Sequence, residues 1–356
     1  MRHRIDKIRT KLQDEGLEAF LVSSRSNCFY ASGFTGTAGT ILFTPDNNYF
    51  LTDSRYTEQA KQEVAGYEII EVGNQNRRAR FRELLESENV NQLGFEAREI
   101  SYRKYALLND ELSEIELKPV DNLVEDIRIV KEEREIEAIK QAVDIADQAF
   151  VHILDFIESG IREKDIALEL EYFMKQHGGQ KNSFDFIVAS GLRSALPHGT
   201  ASGRKIQKGD FITMDFGTKY EGYCSDMTRT VVVGEPNQKQ CEIYDIVLAA
   251  HRKVISGIKA GLTCGEADAL ARDLIKDKNY GQNFGHNLGH GLGIDVHEAP
   301  RLAKDSDQKL QKNMIVTNEP GIYIPQWGGV RIEDSLLIKE DGCEVLNNSD
   351  KELIRI

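Results

Sequence analysis

Cysteine, proline and tryptophan are scarce in this 356-residue chain, at five, seven and one. The cysteines, at positions 28, 224, 241, 264 and 343, are odd in number and widely spaced, with no Cys-x-x-Cys among them. This pattern argues against a disulfide framework and a thiolate zinc site, and for reduced thiols in a reducing compartment. Long apolar runs are missing as well, so no membrane span is expected. The first residues, MRHRIDKIRTKLQDEG, lack the apolar stretch and small-residue cleavage site of an export signal, and a cytoplasmic home is the expectation. Positive charge is in deficit: 45 Lys and Arg against 58 Asp and Glu leave a net charge of -13, which disfavours nucleic acid and anionic membrane as partners. The glycine cluster SGFTGTAG is not followed by Gly-Lys-Ser/Thr and fits neither a Walker nor a dinucleotide fingerprint, so a phosphate loop is set aside too.

What the chain does have is acid in matched pairs. FITMDFG (Phe211 to Gly217) and CSDMTRTVVV (Cys224 to Val233) are rich in β-branched and aromatic residues and joined by the turn-like TKYEG, which predicts a hairpin. A turn centred between Tyr220 and Glu221 sets Asp215 directly opposite Asp226 on one face. MIVTNEPGIYI (Met314 to Ile324) and VRIEDSLLI (Val330 to Ile338) repeat the logic about PQWGG, and a turn centred on Gln326 sets Glu319 opposite Glu333. Pro320 has no N–H for a ladder and predicts a bulge or an edge beside Glu319. Like charges facing each other are destabilising unless something positive lies between them, and hard divalent cations are the usual partner.

Between the hairpins, NFGHNLGHGLGIDVHEAP carries His286, His290 and His297. The spacing of His286 and His290 suits one face of a helix, but Gly285, Gly289, Gly291 and Gly293 argue against a helix and against a helical zinc motif. Read from the residues, His290 is the direct ligand and His286 a supporting group. One acid alone would be read as a solvated surface residue; four in matched pairs with one imidazole make a two-metal set, suited to Mn(II), Co(II) or Fe(II).

The succession PHG (Pro197 to Gly199), MDFG (Met214 to Gly217), DMTRT (Asp226 to Thr230), GHNLGHGLGIDVHE (Gly285 to Glu298), NEPGIY (Asn318 to Tyr323) and GGVRIED (Gly329 to Asp334) resembles the proline-specific metallopeptidases of the pita-bread fold. These are Xaa-Pro aminopeptidase (aminopeptidase P) and Xaa-Pro dipeptidase (prolidase). NCFYASGFTGTAG and TDSRYTEQA are similar to the amino-terminal domain of short bacterial Xaa-Pro aminopeptidases, so the resemblance spans nearly the whole chain. It implies two divalent ions, with Mn(II) the first choice and Co(II), Fe(II) or Zn(II) the alternatives. The implied metal ligands are Asp215, Asp226, His290, Glu319 and Glu333, with Asp226 and Glu333 bridging. It further gives Glu319 a proton-transfer role and His198 and His297 substrate contact and stabilisation of the tetrahedral intermediate. His286 and Arg331 would line the substrate pocket. The departures Asn318 and Trp327 lie outside the ligand set.

Two adjacent divalent ions lower the pKa of a shared water toward neutrality, which supplies hydroxide for hydrolysis at physiological pH. The function implied is removal of the first residue from short peptides of Xaa-Pro sequence, with Xaa-Pro dipeptidase as the alternative. Methionine aminopeptidase and a non-catalytic binding protein on the same fold are weaker readings, because LPHGTAS, Arg331, the full-length match and the intact ligand set count against them. Metal-free creatinase is disfavoured by the same ligand set.

The fold class expected is α+β: an amino-terminal α/β domain over residues 1–125, a linker over 126–133 and a pita-bread catalytic domain with a curved antiparallel sheet over 134–356. The run VKEEREIEAIKQAVDIADQAF places Ile136, Ile139, Val143, Ala146 and Phe150 at helical spacing and predicts an amphipathic helix without chemistry, at the domain boundary. The amino-terminal domain holds no catalytic constellation. The resemblance gives it a part in oligomerisation, as a homodimer or homotetramer that restricts access to short proline-containing peptides.

Overall fold

The computed structural model describes residues 2–73 and 77–356, which divide into two compact units, Met1–Arg128 and Ile129–Ile356. The first is built on a six-stranded sheet of β1 (Ala19–Val22), β2 (Gly39–Phe43), β3 (Asn48–Thr52), β4 (Glu68–Glu71), β5 (Gln92–Glu96) and β6 (Glu116–Val120), in the order β4-β3-β2-β1-β5-β6. Strand-like runs at 19–23, 40–44, 48–52, 68–72 and 92–95 predict five of these strands, and β1 to β5 fall within about a residue of them. β6 was not foreseen. Its sequence, ELKPV, is mostly exposed and includes Pro119, and such a strand is tolerated because it lies at the sheet edge.

The second unit runs through one order of elements twice. Helices Glu133–Phe156 and Glu163–Gln176 precede strands β7 (Lys181–Asn182), β8 (Ile187–Ser190), β9 (Phe211–Phe216), β10 (Thr218–Tyr220), β11 (Tyr223–Cys224) and β12 (Met227–Val232). Helices Gln238–Gly257 and Cys264–Asp277 precede β13 (Gly289–Gly291), β14 (Glu298–Leu302), β15 (Ile315–Asn318), β16 (Gly321–Ile324), β17 (Gly328–Arg331), β18 (Asp334–Ile338) and β19 (Cys343–Val345). Each helix pair covers its own strands: Phe150, Ile166, Val188, Met214 and Val231 share one core, and Val247, Ala271, Val316, Val330 and Leu336 share the other. The five apolar positions picked out on the boundary helix are all buried, Ile139, Val143 and Ala146 completely. Its first turn is closed by Glu132 and Glu135, each accepting from the other's end of the backbone. No helix among the described residues is long and apolar enough to cross a membrane.

The two acidic hairpins show how register is set. In the second, Gly321 pairs with Arg331 and Asn318 with Asp334, so a turn centred on Gln326 sets Glu319 across from Glu333, as expected. The ladder breaks between β15 and β16, at Glu319 and Pro320, where the missing N–H of proline requires it. In the first hairpin the expected turn centre is off by one residue. Glu221 and Gly222 take φ of 45° and 85°, the pair of positive angles of a type I′ turn, so the turn is centred between them. Asp215 therefore lies opposite Thr228 rather than Asp226, and Asp226 stands two residues along on the same face, across from Gly217. The carboxylates are diagonal neighbours. A Cβ on Gly217 would lie 2.0 Å from the carbonyl oxygen of Ser225, so only glycine allows the strands this approach beside Asp226.

Glu221 is a β-carbon-bearing residue in left-handed backbone, and asparagine accepts that conformation more readily. Glu221→Asn is expected to stabilise the protein by up to about 1 kcal/mol in urea unfolding; a loss of stability would contradict the turn assignment.

Candidate metal centre

Four acids and one imidazole converge where the two hairpins meet. Ligand atoms of Asp226, His290 and Glu333 lie within 4.8 Å of one another. Nε2 of His290 is 3.6 Å from Asp226 Oδ2 and 3.5 Å from Glu319 Oε1. Asp215 stands on the same face of the β9–β12 ladder, held by Arg331 at 2.6 Å. All five residues singled out as ligands are thus placed around one volume.

Backbone crossing brings the hairpins together. Glu333, between β17 and β18, bridges to Thr228 of β12, its N–H reaching the Thr228 carbonyl at 3.0 Å. The hydroxyl of Thr228 donates to Glu333 Oε2 at 2.6 Å and accepts from Arg331 Nε at 2.9 Å. Behind them Arg229, 1% exposed, donates to the carbonyls of Thr228 and Glu333 at 3.0 and 2.6 Å and to Asp334 at 2.7 Å. Arg229 and Asp334 were missed from the sequence. The available signal was a charged side chain in the middle of a β-branched strand, TRTVV, which has to find a buried partner.

Electrostatics separates the neighbouring acids Glu333 and Asp334. Burial alone would raise both. For Asp334 the adjacent Arg229, His251 and Lys351 outweigh it and hold the carboxyl well below its ordinary range. Glu333 is pushed well above its ordinary value by burial and by Glu319 and Asp215. Asp226 is likewise pushed well up by burial, Glu333, Asp215 and Glu319. Burial pushes Glu319 up to about 8, with Arg331 pulling against it and Asp215 adding to it. Asp215 is raised by burial, with Arg331 opposing. Oδ1 of Asp215 and of Asp226 are buried with no hydrogen-bond partner.

This donor set fits divalent cations: crowded, desolvated carboxylates with orphaned oxygens and a correctly oriented imidazole. Nδ1 of His290 faces the Gly291 carbonyl at 3.0 Å, a contact that places the ring proton on Nδ1 and leaves Nε2 free to ligate. Burial lowers the His290 pKa to about 4, so the ring is neutral at physiological pH.

The remaining predicted residues surround this cluster. His297 rests edge-on against His290 with ring centroids 4.4 Å apart, and the charge of Asp215 reaches it. His198 is exposed, and its charge is felt at Asp215, His286 and His297. His286 sits 3.9 Å from Glu319 and 3.1 Å from the Tyr323 hydroxyl, and burial lowers its pKa to about 4. Arg331 is committed to the frame, donating to Asp215, Thr228, the Tyr323 hydroxyl at 2.7 Å and the Pro197 carbonyl at 3.2 Å. Tyr323 was not foreseen; it joins His286 to Arg331. Trp327 packs edge-on against Phe211 with Lys239 over its face, apart from the acid cluster.

Arg229→Met leaves Asp334 short of its main cation, and a stability loss of about 3–5 kcal/mol is expected in urea unfolding, partly recovered by adding Asp334→Leu. A loss below about 1 kcal/mol would contradict the clamp. A second expectation concerns pH. In the metal-free protein, Glu319 at about 8 keeps a proton that the unfolded chain releases near 4.5, so this group makes stability fall as pH rises between those values. His286 and His290, lowered from 6.5 to about 4, act oppositely but only below about 6.5. The rise in melting temperature on adding a divalent ion is therefore expected to grow from about pH 6.5 to 8, because the ion replaces the proton. A rise that shrinks over that range would contradict the assignment.

Comparison with known proteins agrees with the geometry. Residues 137–340 match metallopeptidase family M24, and residues 4–130 match the creatinase/prolidase amino-terminal domain. The chain is similar to a Bacillus anthracis structure described as Xaa-Pro dipeptidase, at 46% identity and a TM-score of 0.97 over 100% of this chain and 99% of that one. It is 40% identical to an Xaa-Pro dipeptidase of Pyrococcus horikoshii, over 99% of both chains. A structure described as X-Pro aminopeptidase from Thermotoga maritima superposes with a TM-score of 0.91 at 40% identity, covering 96% of this chain and 98% of that one. With its acid hairpins, half-buried imidazole and two-unit plan, this chain is a member of metallopeptidase family M24, a divalent-metal hydrolase with a creatinase/prolidase amino-terminal domain.

Proposed function

We propose that this peptidase hydrolyses the Xaa-Pro bond of short peptides, dipeptides foremost, with two divalent ions, Mn(II) first among them. Asp215, Asp226, His290, Glu319 and Glu333 would hold the ions. The observation that carries this reading is the packing of three buried acids and the half-buried Glu319, three of the four with no Lys or Arg of their own, around the free Nε2 of His290. The expectation from sequence puts aminopeptidase first. The relatives above, two of them Xaa-Pro dipeptidases and one an X-Pro aminopeptidase, shift the weight toward dipeptidase.

A prolyl bond is a tertiary amide with no N–H and a restricted preceding residue, so an enzyme that recognises extended backbone by hydrogen bonds handles it poorly. When bound, the ions lower the pKa of a water toward neutrality and polarise the carbonyl under attack. The chain's own groups do the rest. Glu319, whose carboxyl readily keeps a proton in this pocket, receives one from the nucleophile and delivers it to the departing proline nitrogen. His198 and His297, at the exposed side of the cluster, donate hydrogen bonds as negative charge develops on the carbonyl oxygen. His286 and Arg331, linked through Tyr323, shape the pocket wall. The reading extends to a cytoplasmic homodimer or homotetramer, in keeping with five free cysteines and the domain plan.

Metal-stripped protein reloaded with Mn(II) is to be assayed on a Gly-Pro dipeptide, an Xaa-Pro-Xaa tripeptide and a Met-Ala-Ser control, with products identified by mass. Cleavage confined to the dipeptide is expected; removal of the first residue from the tripeptide would make it an aminopeptidase, and cleavage of the control alone would overturn the proline assignment. Asp226→Asn and Glu333→Gln are each expected to lower kcat at least about 1,000-fold while the far-ultraviolet circular dichroism is kept. Wild-type turnover in either variant would remove the two-metal reading.

A further inference from the structure

His198 lies on a partly exposed segment, residues 191–201, that leaves β8 through a 3-10 turn at Gly191–Ala195 and returns toward β9. Leu192 and Leu196 on the same loop are 62% and 52% exposed, so little apolar packing holds it. Polar contacts do, and at both of its ends they converge on one buried carboxylate. Glu163, in the first turn of helix Glu163–Gln176, has no exposure to solvent. Its Oε1 accepts from the N–H and hydroxyl of Ser190 at 2.8 and 2.7 Å, where the loop departs. Its Oε2 accepts from the N–H and hydroxyl of Ser202 at 3.0 and 2.6 Å, where the loop returns, and from Arg193 within it. Arg193 also crosses the loop to the carbonyl of Thr200 at 2.7 Å.

The opposite side of the loop faces the metal centre's frame. Ser194 accepts from the N–H of Gly329 at 2.8 Å, and the carbonyl of Pro197 accepts from Arg331 at 3.2 Å. His198 is the next residue. Hydrogen bonds to an ionised acceptor are shorter and stronger than neutral ones, and a buried charge that loses its donors is penalised heavily. The loop therefore cannot shift at either end without stripping donors from Glu163.

We propose that Glu163 is a positioning residue for the reaction. It ties both ends of the loop to one point and so fixes His198 over the substrate, touching neither the substrate nor the metal ligands. This rests on the reading of His198 as a group that contacts the substrate. Glu163→Gln replaces an acceptor-only carboxylate by an amide whose NH2 confronts existing donors, which releases one end of the loop.

The test is a cycle of Glu163→Gln and His198→Ala, with kcat measured on an Xaa-Pro dipeptide and Mn(II) binding measured by titration. Glu163→Gln is expected to lower kcat roughly 10- to 100-fold in the wild-type background and less than about twofold in the His198→Ala background. Mn(II) stoichiometry and affinity stay unchanged. Arg193→Ala, at a partly exposed position, gives a soluble partner variant should Glu163→Gln fail to fold; its smaller loss must also vanish when His198 is absent. Equal losses in both backgrounds, or weakened Mn(II) binding, would overturn the inference and leave the proposed function standing. Wild-type kcat in His198→Ala alone would overturn the role of His198 and this inference with it.

Discussion

Mutual repulsion of four carboxylates with little access to water is the constraint around which the second unit is built. Asp226, Glu319 and Glu333 are paired with no Lys or Arg, and each has only the more distant pull of Arg331. Left to themselves such groups would take up protons or swing into solvent. Covalent geometry and backbone hydrogen bonds prevent the swing. The Thr228–Glu333 bridge fuses two hairpins from separate halves of the unit, and Arg229 holds both carbonyls from behind. The metal completes this arrangement electrostatically, which makes metal affinity and protonation two sides of one equilibrium.

The protein distinguishes acids that organise its frame from acids left with charge to spare by what it sets beside them. Asp334 is consumed by Arg229, Lys351 and His251, and serves the frame. Glu163 is consumed by two serines and an arginine, and serves a loop. Glu333, adjacent to Asp334 in sequence, keeps one hydroxyl donor and is left with charge to spare. Strand alternation explains the division: successive side chains point to opposite faces, so neighbouring acids enter different environments.

Much of this was legible in the sequence because it depends on local signals. The second hairpin's register follows from a turn centred on Gln326, and the boundary helix follows from its apolar spacing. The glycines about His290 correctly exclude a helix, since β13 packs so closely that a Cβ on Gly289 would lie 2.1 Å from the Thr317 carbonyl oxygen. The first hairpin was misplaced by one residue, because TKYEG offers several turn centres and only the backbone angles choose among them. Moving the turn centre by one residue shifts the pairing by two, which preserves the face, so Asp215 and Asp226 still converge. Arg229, Tyr323 and Glu163 act through partners distant in sequence, across 105, 37 and 39 residues, and no local pattern announces such pairings.

The central claim is that bound cations replace protons on the crowded acids. Calorimetric titration of the metal-free protein with Mn(II) near pH 7.5, repeated in buffers of different ionisation enthalpy, counts ions bound and protons released together. The account predicts about two ions per chain with net proton release on binding. Saturable binding without proton release, or no saturable binding, would contradict it.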